Sequence, residues 1–180
     1  MTTALALPST EEEIWRYSRI NELDMSKFAS GKLTTTVDGG EGVQLNGAAA
    51  TALVGAGMHV QPDVFAQLNT DTPDVIALHI GKNKVHTQTV VITHSVDKSG
   101  VVAYPRLVID AAENSEIVVV ERFTSADNVH SLVVPVVEVH AAQSARVTYL
   151  AINELGKNTW QIGHQVAVGE RDSNVRLFTV

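Results

Sequence analysis

The chain has 180 residues, a net charge of −7, 44% apolar residues and no cysteine. That length suffices for one ordinary domain with a real core. The missing thiols exclude disulfides, cysteine nucleophiles and thiolate metal ligands. Acidic and basic residues are interspersed, with no Arg-rich stripe, which argues against a nucleic-acid-binding face.

Met1 to Leu7 is mildly apolar but has no basic n-region, and Pro8 and a Glu run follow, so a secretory signal is not expected. No run of about 18 apolar residues is present to span a membrane, and a cytoplasmic location is the default expectation. Residues 8–28 read as a helical lead-in: Ser9 and Thr10 are each followed three residues later by Glu12 and Glu13, the capping-box pattern. Ile14, Tyr17, Ile20 and Asp24 form no clean apolar stripe, so a short helix followed by irregular chain is predicted. Gly31 to Gly47 holds five glycines among Thr, Asp and Asn, a loop with short strands. Ala48 to Val54 reads as a short helix stopped by Gly55 and Gly57. Gly55-Ala56-Gly57 superficially resembles a dinucleotide loop, but it lacks the third glycine and a preceding buried strand. Phe65 and Leu68 mark another helical turn or two before Pro73.

From Val75 the pattern changes to Val-rich runs broken by Gly, Asn, Asp and Ser, which favour strands. Val75 to Gly81, Gln88 to His94 and Val101 to Val108 are predicted strands. Leu107-Val108-Ile109-Asp110-Ala111-Ala112 then aligns with Val137-Glu138-Val139-His140-Ala141-Ala142, about thirty residues on. In each block a polar turn leads to a second run, Ile117 to Val120 and Val147 to Leu150. A looser third copy runs from Val166-Ala167-Val168 to Val175-Arg176-Leu177-Phe178, and we expect its turn to be one residue shorter. Repeats of this size stack, because one unit cannot bury its apolar face alone. The predicted architecture is mainly β: a right-handed parallel β-helix over residues 74–180, incomplete at its C-terminal end, preceded by a small α/β region over residues 1–73. A β-sandwich is disfavoured because the links lack the Asn-Gly or Asp-Gly signals of tight hairpins. The chain is read as the front part of something longer. Its uncapped last rung predicts poor solubility or self-association; a monodisperse monomer in size-exclusion chromatography at tens of micromolar would count against that.

Candidate chemistry is sparse. His79, His86 and His94, and then His130, His140 and His164, invite a metal site, but spacings of seven and eight residues across a turn fix no common face, and scattered surface histidines are the preferred reading. Glu113, Glu170 and Asp172 fall in turns, where solvated charge is expected. Arg106 and Glu121 are placed to pair across strands at a sheet surface, a contact of little energetic weight. No catalytic, cofactor-binding or metal-binding set is assigned.

Several segments resemble a known family. Glu12-Glu13-Ile14-Trp15-Arg16-Tyr17 is similar to the Glu-x-Trp-Arg-Tyr start found in the SufB/SufD family of the SUF iron–sulfur cluster assembly machinery, in its SufD branch. Phe65-Ala66-Gln67-Leu68-Asn69-Thr70 resembles that family's Phe-x-x-Leu-Asn stretch. Tyr104-Pro105-Arg106-Leu107 through Val120-Glu121-Arg122-Phe123 resembles its Pro-Arg entry and Val-x-Glu rung ending, and Val136 to Val139 and Gly169 to Ser173 continue the likeness. The resemblance implies a β-helical scaffold without catalysis of its own, working with a SufB-like paralogue and a SufC-like ATPase. It also implies that clusters are handled by the complex, with no cofactor bound by this segment. It covers the whole chain but about the first half of the family's length, and the family's working surfaces lie in its other half, so no functional residue carries over. The motif residues Trp15, Arg16, Tyr17, Phe65, Leu68, Asn69, Pro105, Arg106 and Glu121 are given structural work, with Trp15, Arg16 and Tyr17 docking the lead-in on the body. The rival readings are a β-helix polysaccharide hydrolase or lyase and a small all-β binding module.

Overall fold

The computed structural model describes residues 6–180 apart from His59 and Thr72; the opening residues 1–5, which enter the secretory-signal reading, lie outside the described residues. Among the described residues, fourteen strands build three sheets. The chain winds through them in the repeating order β4 (Asp74–Ile80), β5 (Val90–Val96), β6 (Val101–Ala103), then β7 (Pro105–Ala111), β8 (Glu116–Ser125), β9 (Ser131–Val133). It continues through β10 (Val136–Ala141), β11 (Arg146–Glu154), β12 (Thr159–Gln161), and finally β13 (His164–Gly169) and β14 (Asn174–Thr179). Each strand pairs in parallel with its counterpart one coil later: Arg106 lies between Val75 and Val136, and Glu121 between Ile92 and Ala151. This is a parallel β-helix of about four turns.

Alternation of side chains sets the interior. On β5, Val90, Ile92, His94 and Val96 point inward; on β8, Ile117, Val119, Glu121 and Phe123 do the same. Stacked coils bring Val90, Ile92, Ile117 and Val119 together with Leu78, Leu107, Ile109, Val137, Val139 and Tyr149 into one core, while Val96 and Phe123 join Val129 and Val133 in a second cluster. On β7 and β10 almost every residue is buried, because the lead-in covers their outer face.

The third repeat departs from the sequence alignment. Register pairs Val137 with Gln165 and Val139 with Ala167, so Val166 and Val168 fall in the outward column rather than the inward one. Its turn is also not shorter. Ala142–Ala145 and Glu170–Ser173 both have four residues, and the two-residue contraction lies before β12 instead. The turn length is conserved by conformation: Asn83, Asn114, Ser144 and Asp172 all have φ between 55° and 61°, one above another. Asn and Asp tolerate this left-handed geometry better than most residues. Asn114 Nδ2 donates to Asn83 Oδ1 at 3.0 Å, extending the stack as a side-chain ladder.

The lead-in closes the first coil. β1 (Ala29–Ser30) pairs in parallel with β6, whereas β2 (Thr34–Asp38) and β3 (Gln44–Leu45) run antiparallel to β5 and β4. The helix expected within residues 8–28 is replaced by three short 3-10 segments, Glu13–Trp15, Ile20–Glu22 and Met25–Lys27. Half of the capping box forms, with Ser9 N donating to Glu12 Oε1 at 3.0 Å, but the absent apolar stripe gives a longer helix nothing to bury. Two α-helices follow, α1 (Ala48–Thr51) and α2 (Val64–Asp71). Ala50 of α1 packs on Ala77 and Val108, and Phe65 of α2 joins Ile20, Leu23, Tyr104, Leu132 and Val134.

Candidate functional site

Two carboxylates stand in columns that the strand pattern reserves for apolar side chains, and each organises a buried polar cluster. Glu138 takes the position in β10 that Val108 occupies in β7, on the outer face beneath the lead-in. Its side chain is fully buried. Oε1 accepts from Gly55 N at 2.7 Å and from Arg106 Nε at 2.7 Å, and Oε2 accepts from Gly57 N at 3.0 Å. Arg106 Nη2 also lies 2.7 Å from Oε1 but off the hydrogen-bonding direction, so it adds charge rather than a directed bond. Arg106 Nη1 donates to Asn69 Oδ1 at 2.9 Å and to Thr70 Oγ1 at 3.3 Å. The Asn69 amide in turn donates to the carbonyls of Pro105 and Val134 at 3.0 and 2.8 Å. Backbone, α2 and two coils of the β-helix are thus joined by one network, in which both Glu138 oxygens and the Asn69 amide are paired while Arg106 Nη2 is held by charge alone.

The Gly55-Ala56-Gly57 segment is therefore an anion cradle, filled by the protein's own carboxylate rather than a phosphate. Gly55 has φ of 80° and open space where a Cβ would sit, so conformation alone requires glycine there. At Gly57 the constraint is contact: a Cβ would lie 3.3 Å from Glu138 Oε2 and 3.4 Å from Val166 Cγ1.

Glu121 faces the interior and is 1% exposed. The expected surface pair with Arg106 does not form. Strand alternation points Arg106 outward to Glu138 and Glu121 inward, on different sheets. Glu121 Oε1 lies 2.9 Å from His94 Nε2, and Oε2 accepts a short hydrogen bond from the Tyr149 hydroxyl. His94 Nδ1 is 2.8 Å from Thr35 Oγ1, and the imidazole stacks on Phe123 with centroids 4.9 Å apart. Burial, then the charge and hydrogen bond of Glu121, push the Tyr149 hydroxyl far above its ordinary value, so it stays protonated across the physiological range.

The histidines are not simply scattered over the surface. His94 is interior, and His79 Nδ1 meets Asp110 Oδ2 at 2.6 Å. His86 Nε2 meets the Gly39 carbonyl at 2.8 Å, and His164 Nε2 meets Asp63 Oδ1 at 3.1 Å. His130 is exposed. Asp63 also accepts from Phe65 N and Ala66 N at 2.9 Å, capping α2. Burial raises the Asp63 carboxyl, but the His164 contact and the two backbone bonds outweigh it and hold the group below the usual carboxylate range. Among the described residues no group of three or more His, Asp or Glu is placed to hold a metal ion. The turn acids are occupied locally: Glu113 with Lys82 at 2.6 Å, Glu170 with Gln143 N at 2.9 Å, and Asp172 with Arg171 at 3.4 Å.

The motif residues separate into inner and outer sets. Trp15 packs on the buried Phe65 with centroids 5.7 Å apart, Leu68 joins the same cluster, and Asn69, Pro105, Arg106 and Glu121 are buried. Arg16 lies at the surface, 2.8 Å from Glu13, and Tyr17 is 93% exposed. Sequence reading missed Glu138, His94 and Tyr149 as network members. The legible signal was the parity of Glu121, shared with Ile117, Val119 and Phe123; Glu138 stands out instead against Val108 of the coil before it.

Neither the curated proteins nor the solved structures yield a match to this chain. A family model does match: the SufBD core domain of SUF-system FeS cluster assembly, over residues 90–180. That span begins at the first residue of β5, takes in Glu121 and Glu138, and covers just over half of the chain. The chain accordingly belongs to the SufBD core-domain family of the SUF iron–sulfur cluster assembly system.

Proposed function

We propose that the chain is a SufD-type, non-catalytic scaffold subunit that acts in the cytoplasm with a SufB-like paralogue and a SufC-like ATPase. Iron–sulfur clusters are the cargo of that complex, and this segment binds no cofactor of its own. The observation that carries the reading is the core-domain match over stacked β-helix rungs, a shape that offers long, regular edges and faces to other subunits. The Trp15-Arg16-Tyr17 start supports the SufD branch over the SufB branch.

The test is co-expression of the chain, in its full gene context, with SufB-like and SufC-like partners encoded in the same genome, followed by native mass spectrometry. A complex containing all three subunits, with ATPase activity that a Walker-lysine substitution in the SufC-like partner abolishes, is the expected result. A SufB-like and SufC-like pair that assembles without this chain, and leaves it free at equal concentration, would overturn the subunit assignment.

A further inference from the structure

The interior cluster has a geometry that packing alone does not require. Thr35, His94, Glu121 and Tyr149 come from β2, β5, β8 and β11, four successive strands of one sheet. Their side chains touch in that order, Thr35 to His94 at 2.8 Å, His94 to Glu121 at 2.9 Å, and Glu121 to Tyr149 through the short bond. At one end Thr35 and His94 line a cavity of about 220 Å³, together with Asp74, Ile76 and Pro105. At the other end Tyr149 lines a second cavity of about 220 Å³, whose rim carries Gln161, His164, Gln165 and Thr179. Each is roomy enough for several waters, at about 30 Å³ of liquid volume apiece, and each offers them polar partners.

We propose that Thr35, His94, Glu121 and Tyr149 form a proton relay through the interior of the β-helix, joining these two cavities. The inference does not depend on the subunit assignment above. The relay runs once the Glu121 carboxylate has taken up a proton on Oε1, directed at His94 Nε2, with another on His94 Nδ1, directed at Thr35 Oγ1. A proton reaching the Tyr149 oxygen from the adjoining cavity displaces the phenolic proton onto Glu121 Oε2. Oε1 releases its proton to His94 Nε2, Nδ1 releases one to Thr35 Oγ1, and the threonine hydroxyl passes its own to water in the other cavity. Every atom that gains a proton is matched by one that gives a proton up, and no electrons move. Passage of a proton by the same steps in the opposite sense returns His94 to its starting tautomer, and this two-way traffic is all that exchange with solvent requires. The carboxylate is essential because its two oxygens receive and release on opposite sides. The strongly disfavoured phenolate means that Tyr149 takes and gives its proton in concert, as a conduit and not as an acid.

The experiment is solvent exchange of the His94 ring proton, followed by NMR in the full-length chain with labelled histidine. The amides of Val119 and Phe123 on β8 serve as internal clocks for opening of the fold. A buried proton without a relay exchanges only when its surroundings open, at the rate of those amides. The relay predicts ring-proton exchange about 100-fold faster than either amide, slowed about tenfold by Tyr149→Phe and by Thr35→Val, each of which breaks one end. Glu121→Gln, which keeps shape but removes the two-sided transfer, slows exchange similarly. Amide protection in the same samples reports whether each variant keeps its fold. Ring exchange equal to the amides in the unsubstituted chain overturns the relay. So does slowing by Thr35→Val with no effect of Tyr149→Phe, which is exchange through one cavity only.

Discussion

Glu121 and Glu138 are buried to the same degree, on strands of one β-helix, yet they answer to different partners. Glu138 meets a permanent cation and two backbone N–H groups, all of them fixed donors. Glu121 meets an imidazole and a phenol, groups that donate or accept as their protons shift. The first cluster is a lock fastening Gly55, Gly57 and α2 to the outer face. The second is an adaptable chain inside. A buried carboxylate is thus defined by what it faces, and the two respond to the same substitution differently.

The largest effect is expected at the lock. Glu138→Gln places an amide N–H₂ against donors and leaves Arg106 buried without a counter-charge, a loss of about 3–5 kcal/mol by urea denaturation. Replacing both partners, as in Arg106→Met with Glu138→Leu, should recover part of that but not all, because Gly55 and Gly57 N–H remain unsatisfied. At Glu121 the same change is mild: Glu121→Gln still accepts from Tyr149 and donates to His94 Nε2 when the ring carries its proton on Nδ1, costing less than about 1 kcal/mol. Glu121→Leu strands both partners and should cost about 2–4 kcal/mol, so the Leu-to-Gln gap measures the hydrogen bonds themselves. Equal costs for Gln at positions 121 and 138 would dissolve the comparison.

Gly55→Ala sharpens the account of the cradle. No atom lies where the new Cβ would sit, so the expected loss of about 1–2 kcal/mol is conformational and should appear as a lower Tm with unchanged burial of Trp15 fluorescence. The smallest effect concerns Asp63. Asp63→Ala removes a helix cap and the His164 contact, about 1 kcal/mol at neutral pH. Because the native-state carboxyl is held below its unfolded value, that contribution is present above about pH 4 and is lost as pH falls through the depressed native value. The stability difference between Asp63→Ala and the unsubstituted chain should therefore shrink below about pH 4 and vanish on further acidification.

The repeat was legible because coil length is written in spacing: Val137 and Val147 recur thirty residues after Leu107 and Ile117, and the structure stacks those very pairs. The third coil was read one residue out of register because Gln165 and Ala167 are weak inward signals beside the Val166 and Val168 that flank them. Parity sets Glu121 among inward residues, whereas Glu138 shares the outward parity of His140 and reads as solvated, and the partners of each lie 27 or more residues away in the chain. Spacing along one strand carries no information about them. The lead-in misread has a different cause. The Ser9–Glu12 box is real, yet a start signal without an apolar face to bury makes a turn and not a helix.

The sequence alone determined the strand periodicity and the coil repeat, because these depend on side-chain alternation and on the spacing of the apolar runs. Tertiary structure decided which carboxylate met which donor. Stacking brings Gly55 beneath Glu138 and sets His94, Glu121 and Tyr149 in line across three coils. Such pairings arise only when the coils close on one another, since burial then leaves each charged or polar group to satisfy itself with whatever the neighbouring coil presents.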